Sequence, residues 1–203
     1  MKKKLFLFDV DGVLFNTKHN MENSWKKVCS KFKINKRFSN YFNLVGLPFY
    51  EILKKLKIKK NIEKIKKYYS EQSVMNNELI KIYPNVKSTI DELKNRGDIV
   101  GIVTSKDYKR TKILFKKFNL VFKIIECHSK KKRGKPYPDL INNAVKKANI
   151  DKKNVFYIGD TFFDFLTAKN AKIKFIFASY GYGSIPKIKK KYIINNISQI
   201  LKF

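Results

Sequence analysis

The chain opens with an apolar run, Leu5–Phe8, that stops at two carboxylates one residue apart, Asp9 and Asp11, followed by a glycine, Gly12. A short unbroken apolar run bounded by a turn reads as a strand buried on both faces, the kind parallel sheets use. Similar runs recur at residues 99–103 and 155–158, and shorter strands are predicted at 121–126, 173–178 and 192–194. Between them, apolar residues fall at helical spacing over 88–96, 108–118, 138–148 and 163–171. Gly97 stops the first of these helices, and Pro138 sits in the first turn of the third, where a missing N–H costs little. A closing helix is predicted beyond 194. Alternating strands and helices of this kind predict an α/β fold, a parallel sheet covered on both faces.

Residues 18–83 have a different texture. Met21, Trp25, Val28 and Phe32 form one helical stripe, Phe49, Ile52, Leu53 and Leu56 a second, and Ile62, Ile65, Tyr68 and Tyr69 a third. Gly46, Leu47 and Pro48 break the chain between the first two. Aromatic and methionine side chains at this spacing read as packing. The expected organisation is therefore an α/β core from residues 1–17 and 84–203, with a small helical insert at 18–83.

Composition changes this picture little until charge is considered. A chain of 203 residues with 43% hydrophobic content has room for one sizeable core, and no internal repeat stands out. The net charge is +30, and 42 of the 46 basic residues are lysine. The lysines are spread evenly, and isoleucine, asparagine, phenylalanine and tyrosine are also plentiful, as AT-rich codons would dictate. Arginine, the residue suited to bidentate phosphate and guanine contacts, is scarce. The basic charge thus reads as solvated lysine faces rather than a nucleic-acid platform, although its field would still draw small anions inward. Cys29 and Cys127 have no CxxC spacing and read as reduced thiols of a cytosolic protein. Met1 to Lys4 followed by Leu5–Phe8 mimics a signal peptide, but Asp9 cuts the apolar run short and no run of membrane-spanning length follows. A soluble cytoplasmic protein, monomeric or weakly dimeric, is expected.

The candidate chemistry lies at the predicted strand ends, where parallel sheets bind ligands. In an extended stretch Asp9 and Asp11 point the same way, and two anions so close need a cation or a shared proton. A magnesium ion, which takes oxygen ligands, meets that need. Thr104 and Ser105 end the second long strand, and Asp160, with Asp164 four residues on, ends the third. Lys135 falls in the loop Gly134-Lys135-Pro136-Tyr137-Pro138. These residue types suit phosphoryl transfer. One carboxylate can attack phosphorus, a second can move the proton, and a hydroxyl and an ammonium can hold phosphoryl oxygens. His19 and His128 have no metal-ligand partners at useful spacing, and Gly181 with Gly183 reads as a turn.

The order DxDG, a hydrophobic strand ending in threonine, Lys-Pro-x-Pro, and GDTxxD resembles the haloacid dehalogenase (HAD) superfamily of phosphohydrolases along the whole chain, nearest the phosphoglycolate phosphatase and beta-phosphoglucomutase branch. The resemblance implies a Rossmann-like parallel-sheet core with a helical cap inserted after the first strand. It implies a magnesium-dependent phosphomonoesterase acting on a small phosphorylated metabolite, such as phosphoglycolate or a sugar phosphate. Asp9 would be the nucleophile, carrying an aspartyl-phosphate, and a metal ligand. Asp11 would be the general acid and base, its main-chain carbonyl also on the metal. Thr104 and Lys135 would bind the phosphoryl group, Asp160 would ligate Mg2+, and Asp164 would hold a metal-bound water or orient its neighbours. Ser105 stands where many relatives have asparagine, and Lys106 follows it. Relatives that cleave carbon–halogen or carbon–phosphorus bonds lack the second acid, so Asp11 favours phosphate esters. A sugar phosphomutase is the alternative, but Met21 occupies the position of the histidine that beta-phosphoglucomutase carries in its first cap helix. A non-catalytic basic nucleic-acid-binding module is the further alternative. Lys54, Lys55 and Lys57 of the insert read as exposed lysines that could reach a second anionic group of the substrate.

Overall fold

The computed structural model describes residues 3–129, 132–185 and 187–203; Met1 and Lys2, the start of the basic N-terminal run, lie outside the described residues. Strand β1 (Leu5–Phe8) occupies the middle of a six-stranded sheet. Its partners are β4 (Ile99–Thr104) on one side and β6 (Val155–Gly159) on the other, both parallel to it. The full order is β5-β4-β1-β6-β7-β8, with β5 at Ile124–Cys127, β7 at Lys174–Ala178 and β8 at Ile193–Ile194. Every pairing in this sheet is parallel.

Alternation along β1 explains why its apolar run has no polar face. Phe6 and Phe8 enter a cluster that includes Val86 and Ile90 of helix α5 (Val86–Asn95) and Leu114 of α6 (Tyr108–Lys117). Leu5 and Leu7 point the other way, against Ile141 and Ala144 of α7 (Asp139–Ala148) and Ala168 of α8 (Phe162–Ala171). Helices thus cover both faces, as parallel strands require. Because the chain runs outward from β1 to β4 and β5 and then crosses back to β6 on the other side of β1, β1 borders the topological switch point, and the crevice at its carboxyl end is where such sheets place their sites.

The segment between β1 and α5 is mostly helical. It contains α1 (Lys18–Phe32), α2 (Phe38–Phe42), α3 (Phe49–Lys55) and α4 (Ile62–Met75), which share a third apolar cluster built around Trp25, Tyr41, Leu53, Ile65 and Tyr69. The three predicted stripes are the buried faces of α1, α3 and α4. Three details depart from the sequence reading. Residues 81 and 82, read as helical, form strand β3 (Lys81–Ile82), which pairs antiparallel with β2 (Phe15–Asn16) where the chain leaves and re-enters the α/β part. Two-residue strands carry no readable alternation. The edge strand β5 lies at 124–127 rather than 121–126, since Val121 is exposed and the chain straightens only after Phe122 packs down. The closing helix is a 3-10 segment at Ile197–Lys202. No helix among the described residues is long and apolar enough to cross a membrane.

Leu7 is fully enclosed in the second of these clusters. Its replacement by alanine is expected to cost about 2–5 kcal/mol of unfolding free energy. Urea denaturation would show this as a lower midpoint at unchanged slope, whereas an unshifted midpoint would mean that the sheet face collapses around the gap.

Candidate active site

Four chain segments converge on the carboxyl edge of the sheet. The residue after β1 is Asp9, whose backbone N–H continues the ladder to Ile158 at 2.9 Å. Beyond it the chain curls into a tight turn, with Leu14 and Phe15 N–H groups bonding back to the Val10 carbonyl at 3.1 Å, which carries Asp11 over the same edge. Gly12 makes this turn possible. Its φ is +81°, and a Cβ there would overlap the Asp160 carboxylate.

Lys135 is the electrostatic centre. Its side chain is completely enclosed, with Nζ 2.9 Å from Asp9 Oδ1 and 2.6 Å from Asp164 Oδ1. Asp164 is saturated by further partners. The Tyr157 hydroxyl lies 2.9 Å from the same Oδ1, and Oδ2 accepts from the Thr161 N–H at 3.0 Å and its hydroxyl at 2.6 Å. The last contacts are a capping box, since Thr161 begins α8 and Asp164 is its third residue. Asp164 is thus both helix cap and anchor for Lys135.

Asp160 is held differently. Oδ2 accepts from the Tyr182 N–H at 2.7 Å, while Oδ1, also buried, has no hydrogen-bond partner among the described residues. Burial, with Asp164 and Asp9 adding repulsion, pushes its carboxyl well above the ordinary range. Burial likewise pushes Asp9 up to about 6, against the pull of Lys135 and with Asp164 and Asp11 adding to the rise. For Lys135 burial opposes the charge, but Asp164 and Asp9 outweigh it and raise the ammonium above its usual value.

These groups fit a divalent cation. Carboxylate oxygens of Asp9, Asp160 and Asp164 lie within 4.8 Å of one another. Asp164 already spends both oxygens on protein donors, which leaves Asp9 and the unpartnered Asp160 Oδ1 as the free ligand atoms. Asp11 pairs with Lys106, whose Nζ is 3.1 Å from Oδ1 in a nearly enclosed contact. Among the described residues, the ion pairs of Asp9, Asp11 and Asp164 are made with two ammonium groups, Lys106 and Lys135, and Asp160 has none. A bound dication that takes oxygen ligands would let Asp9 and Asp160 ionise in spite of their burial.

Above this floor lies a cleft of about 460 Å³, walled by Thr104, Ser105 and Lys106 from the sheet edge and by Met21, Tyr41 and Phe49 from the helical layer. Thr104 is buried, and its Oγ1 accepts from the Lys106 N–H at 3.2 Å. Ser105 donates to the Gly46 carbonyl at 2.6 Å, tying the sheet edge to the break between α2 and α3. The structure thus brings Asp9, Asp11, Thr104, Lys135, Asp160 and Asp164 to one edge, with Ser105 beside them as a strut. Tyr182 is not singled out by the sequence, and Lys106 is marked there only as the residue after Ser105. Among so many lysines Lys106 carries no mark beyond following a strand end, and the Tyr182 contribution is a backbone N–H, which no side-chain pattern encodes.

Removing the charge of Lys135 while keeping its bulk, as in Lys135→Met, would leave Asp9 and Asp164 buried without their shared cation. The expected loss is about 3–5 kcal/mol of stability at neutral pH, measured by urea unfolding. Unchanged stability would show that the two carboxylates shed their charge at little cost.

Comparison with known proteins agrees with this geometry. A sequence model of the haloacid dehalogenase-like hydrolases matches residues 6–178. The pyrophosphatase PpaX of Bacillus mycoides is 25% identical over 207 aligned residues, covering 99% of this chain and 96% of the relative. Among solved structures, a predicted phosphatase from Clostridium acetobutylicum superposes with a TM-score of 0.84 at 25% identity, covering 100% of this chain and 98% of that one. A predicted phosphoglycolate phosphatase from Haemophilus somnus gives 0.81 at 23% identity, covering 100% and 98% respectively, a likeness of fold. The chain belongs to the haloacid dehalogenase-like hydrolase family.

Proposed function

We propose that the protein is a magnesium-dependent phosphomonoester hydrolase working through an aspartyl-phosphate on Asp9. The observation that carries the reading is the convergence of Asp9, Asp11, Thr104, Lys135 and Asp160 from separate segments on one sheet edge, with a buried Asp160 oxygen left without a hydrogen-bond partner among the described residues. In the first step an Asp9 oxygen attacks phosphorus as the bond to the leaving oxygen breaks, and Asp11 gives that oxygen its proton. In the second, Asp11 takes a proton from water as the water oxygen attacks the phosphorus of the aspartyl-phosphate, freeing phosphate and restoring Asp9. The Thr104 hydroxyl and the Lys135 ammonium hold the phosphoryl oxygens, and Lys106 keeps Asp11 turned to the cleft. Asp9, Asp160 and the Asp11 main-chain carbonyl would hold a magnesium ion, which would supply positive charge against the transferring group. Asp164 positions Lys135 and closes the turn into α8 rather than joining the ligands.

Residues 18–83 act in this reading as a cap over an α/β core of residues 1–17 and 84–203. The cap's Met21, Tyr41 and Phe49 line the cleft and limit access of water to the phosphoenzyme. The substrate in this reading is a small phosphorylated metabolite. A sugar phosphomutase is disfavoured because Met21, at the position of the mutase histidine, lines the cleft and can move no proton. Lys54, Lys55 and Lys57 are exposed and lie outside the cleft lining, so they act as solvated charges.

Phosphate release from small phosphomonoesters should require magnesium and stop with EDTA. Asp9→Asn should lower kcat by on the order of 10⁴-fold or more. Asp11→Asn should lower it by about 10²–10⁴-fold, with the larger effect on esters of poor leaving groups. Undiminished turnover by Asp9→Asn would overturn the assigned nucleophile.

A further inference from the structure

A second and larger opening, of about 1050 Å³, adjoins the first between α4 and α6. The two share four wall residues, Phe49, Tyr69, Ser105 and Arg110. One of these four is charged, and it is one of only four arginines in a chain with 42 lysines. Composition makes lysine the default cation here, so an arginine at the junction of two clefts stands out.

Arg110 is held for binding rather than spent on packing. It lies in the first turn of α6, where Asp107 caps the helix by accepting from the Arg110 N–H at 2.9 Å. The other Asp107 oxygen takes the Arg110 Nε at 2.5 Å. The guanidinium carbon stands 5.4 Å from the centre of the Tyr69 ring, and Tyr69 shares a 2.8 Å hydroxyl contact with Tyr41 across the cleft wall. The side chain is only 13% exposed. The ion pair engages Nε, and no second carboxylate pairs with the guanidinium among the described residues. The guanidinium is therefore held by the Asp107 pair and the neighbouring Tyr69 side chain, and Arg110 lines both clefts. A planar fork so placed suits a carboxylate or phosphate taken by two parallel hydrogen bonds.

We propose that the junction at Arg110 is the leaving-group subsite, and that it takes a second oxyanion, a carboxylate or a second phosphoryl group, on the leaving side of the ester. This rests on the phosphatase reading above and deepens it. With the transferring phosphoryl group at Asp9, the remainder of the substrate points along the shared wall towards α4 and α6, and the second anionic group ends on Arg110. Selection then comes from a core helix that faces the helical layer, not from the exposed lysines of that layer. Substrates with a neutral leaving group meet the same Asp9 chemistry but leave the fork unpaired, so discrimination appears mainly in KM.

The test compares Arg110→Gln and Arg110→Lys with the wild type on three magnesium-supported substrates, pyrophosphate, phosphoglycolate and glycerol phosphate, reading kcat and KM separately. Loss of a charge-assisted bidentate contact should lower kcat/KM for one or both doubly anionic substrates on the order of ten- to a hundredfold relative to glycerol phosphate, chiefly through KM. Arg110→Lys, which keeps the charge, should recover part of that ratio and covers the case of an unstable glutamine variant. Whether pyrophosphate or phosphoglycolate suffers more tells which oxyanion the subsite prefers. An equal fall on all three substrates, or no change on any, would overturn the subsite and leave Arg110 as a strut for α6. Wild-type protein releasing no phosphate from any of the three would overturn the phosphatase reading itself, and the subsite with it.

Discussion

An ammonium group sealed between two carboxylates is costly to build, because each charge must leave water before any attraction is gained. Lys135 makes that contact with Asp9 and Asp164 in complete enclosure, and much of the surrounding structure serves to make it tolerable. Tyr157 and Thr161 fill the remaining lone pairs of Asp164, and the Tyr182 N–H takes one oxygen of Asp160. Each donor comes from a different element, so the contact depends on the sheet being assembled in register. A β6 displaced by one residue would turn Tyr157 to the opposite face and withdraw its hydroxyl. The polar edge and the apolar core are therefore conditions for each other.

The same constraint explains the topology around β1. A site that gathers carboxylates from two strands, a hydroxyl from a third and an ammonium from a loop needs strands that end together and crossovers that diverge. The β4-β1-β6 order supplies both, with Asp9, Thr104 and Asp160 at neighbouring strand ends. The edge is open on the side where the helical segment leaves after β1, and that segment returns through the β2–β3 ribbon before α5. Ser105 reaching Gly46 and Tyr182 packing on Phe42 are two of the ties between the two parts. Both ties start from residues adjacent to the site, so the position of the helical layer and the geometry of the edge are mechanically linked.

What the sequence disclosed follows from which interactions are local. The buried runs of β1, β4 and β6 announce themselves because a strand covered on both faces has no polar alternation to confuse it. The stripes of α1, α3 and α4 were legible because each helix buries one face. Strands β2 and β3 were not, since two residues cannot display a period, and the closing segment was misread because apolar spacing does not separate one 3-10 stretch from an α-helix. At the site, Asp9, Asp11, Asp160 and Asp164 were legible as short-range patterns of carboxylates in a chain with only 16 acidic residues. Lys106 and Arg110 were not. Their importance lies in what they face, Asp11 in one case and the junction of two clefts in the other, and a contact across sequence distance leaves no local trace.

Net charge is a poor guide to the site for a related reason. The molecule carries +30, yet the candidate site gathers four carboxyl groups around two ammonium groups. The two fields have different ranges and different tasks. The diffuse lysine field acts over about a Debye length and raises the encounter rate of small anions, an effect that salt removes. Water and salt screen the distant lysines, whereas the buried carboxylates interact strongly with their immediate neighbours in low-dielectric surroundings, which favours a bound dication over a distant lysine. In the proposed reading, a phosphorylated substrate would be drawn in by the diffuse lysine field and held at the edge by the enclosed ammonium of Lys135 and the guanidinium of Arg110. An enzyme with this arrangement should tolerate wide drift in its surface lysines, because none of the short-range contacts at the edge depends on them.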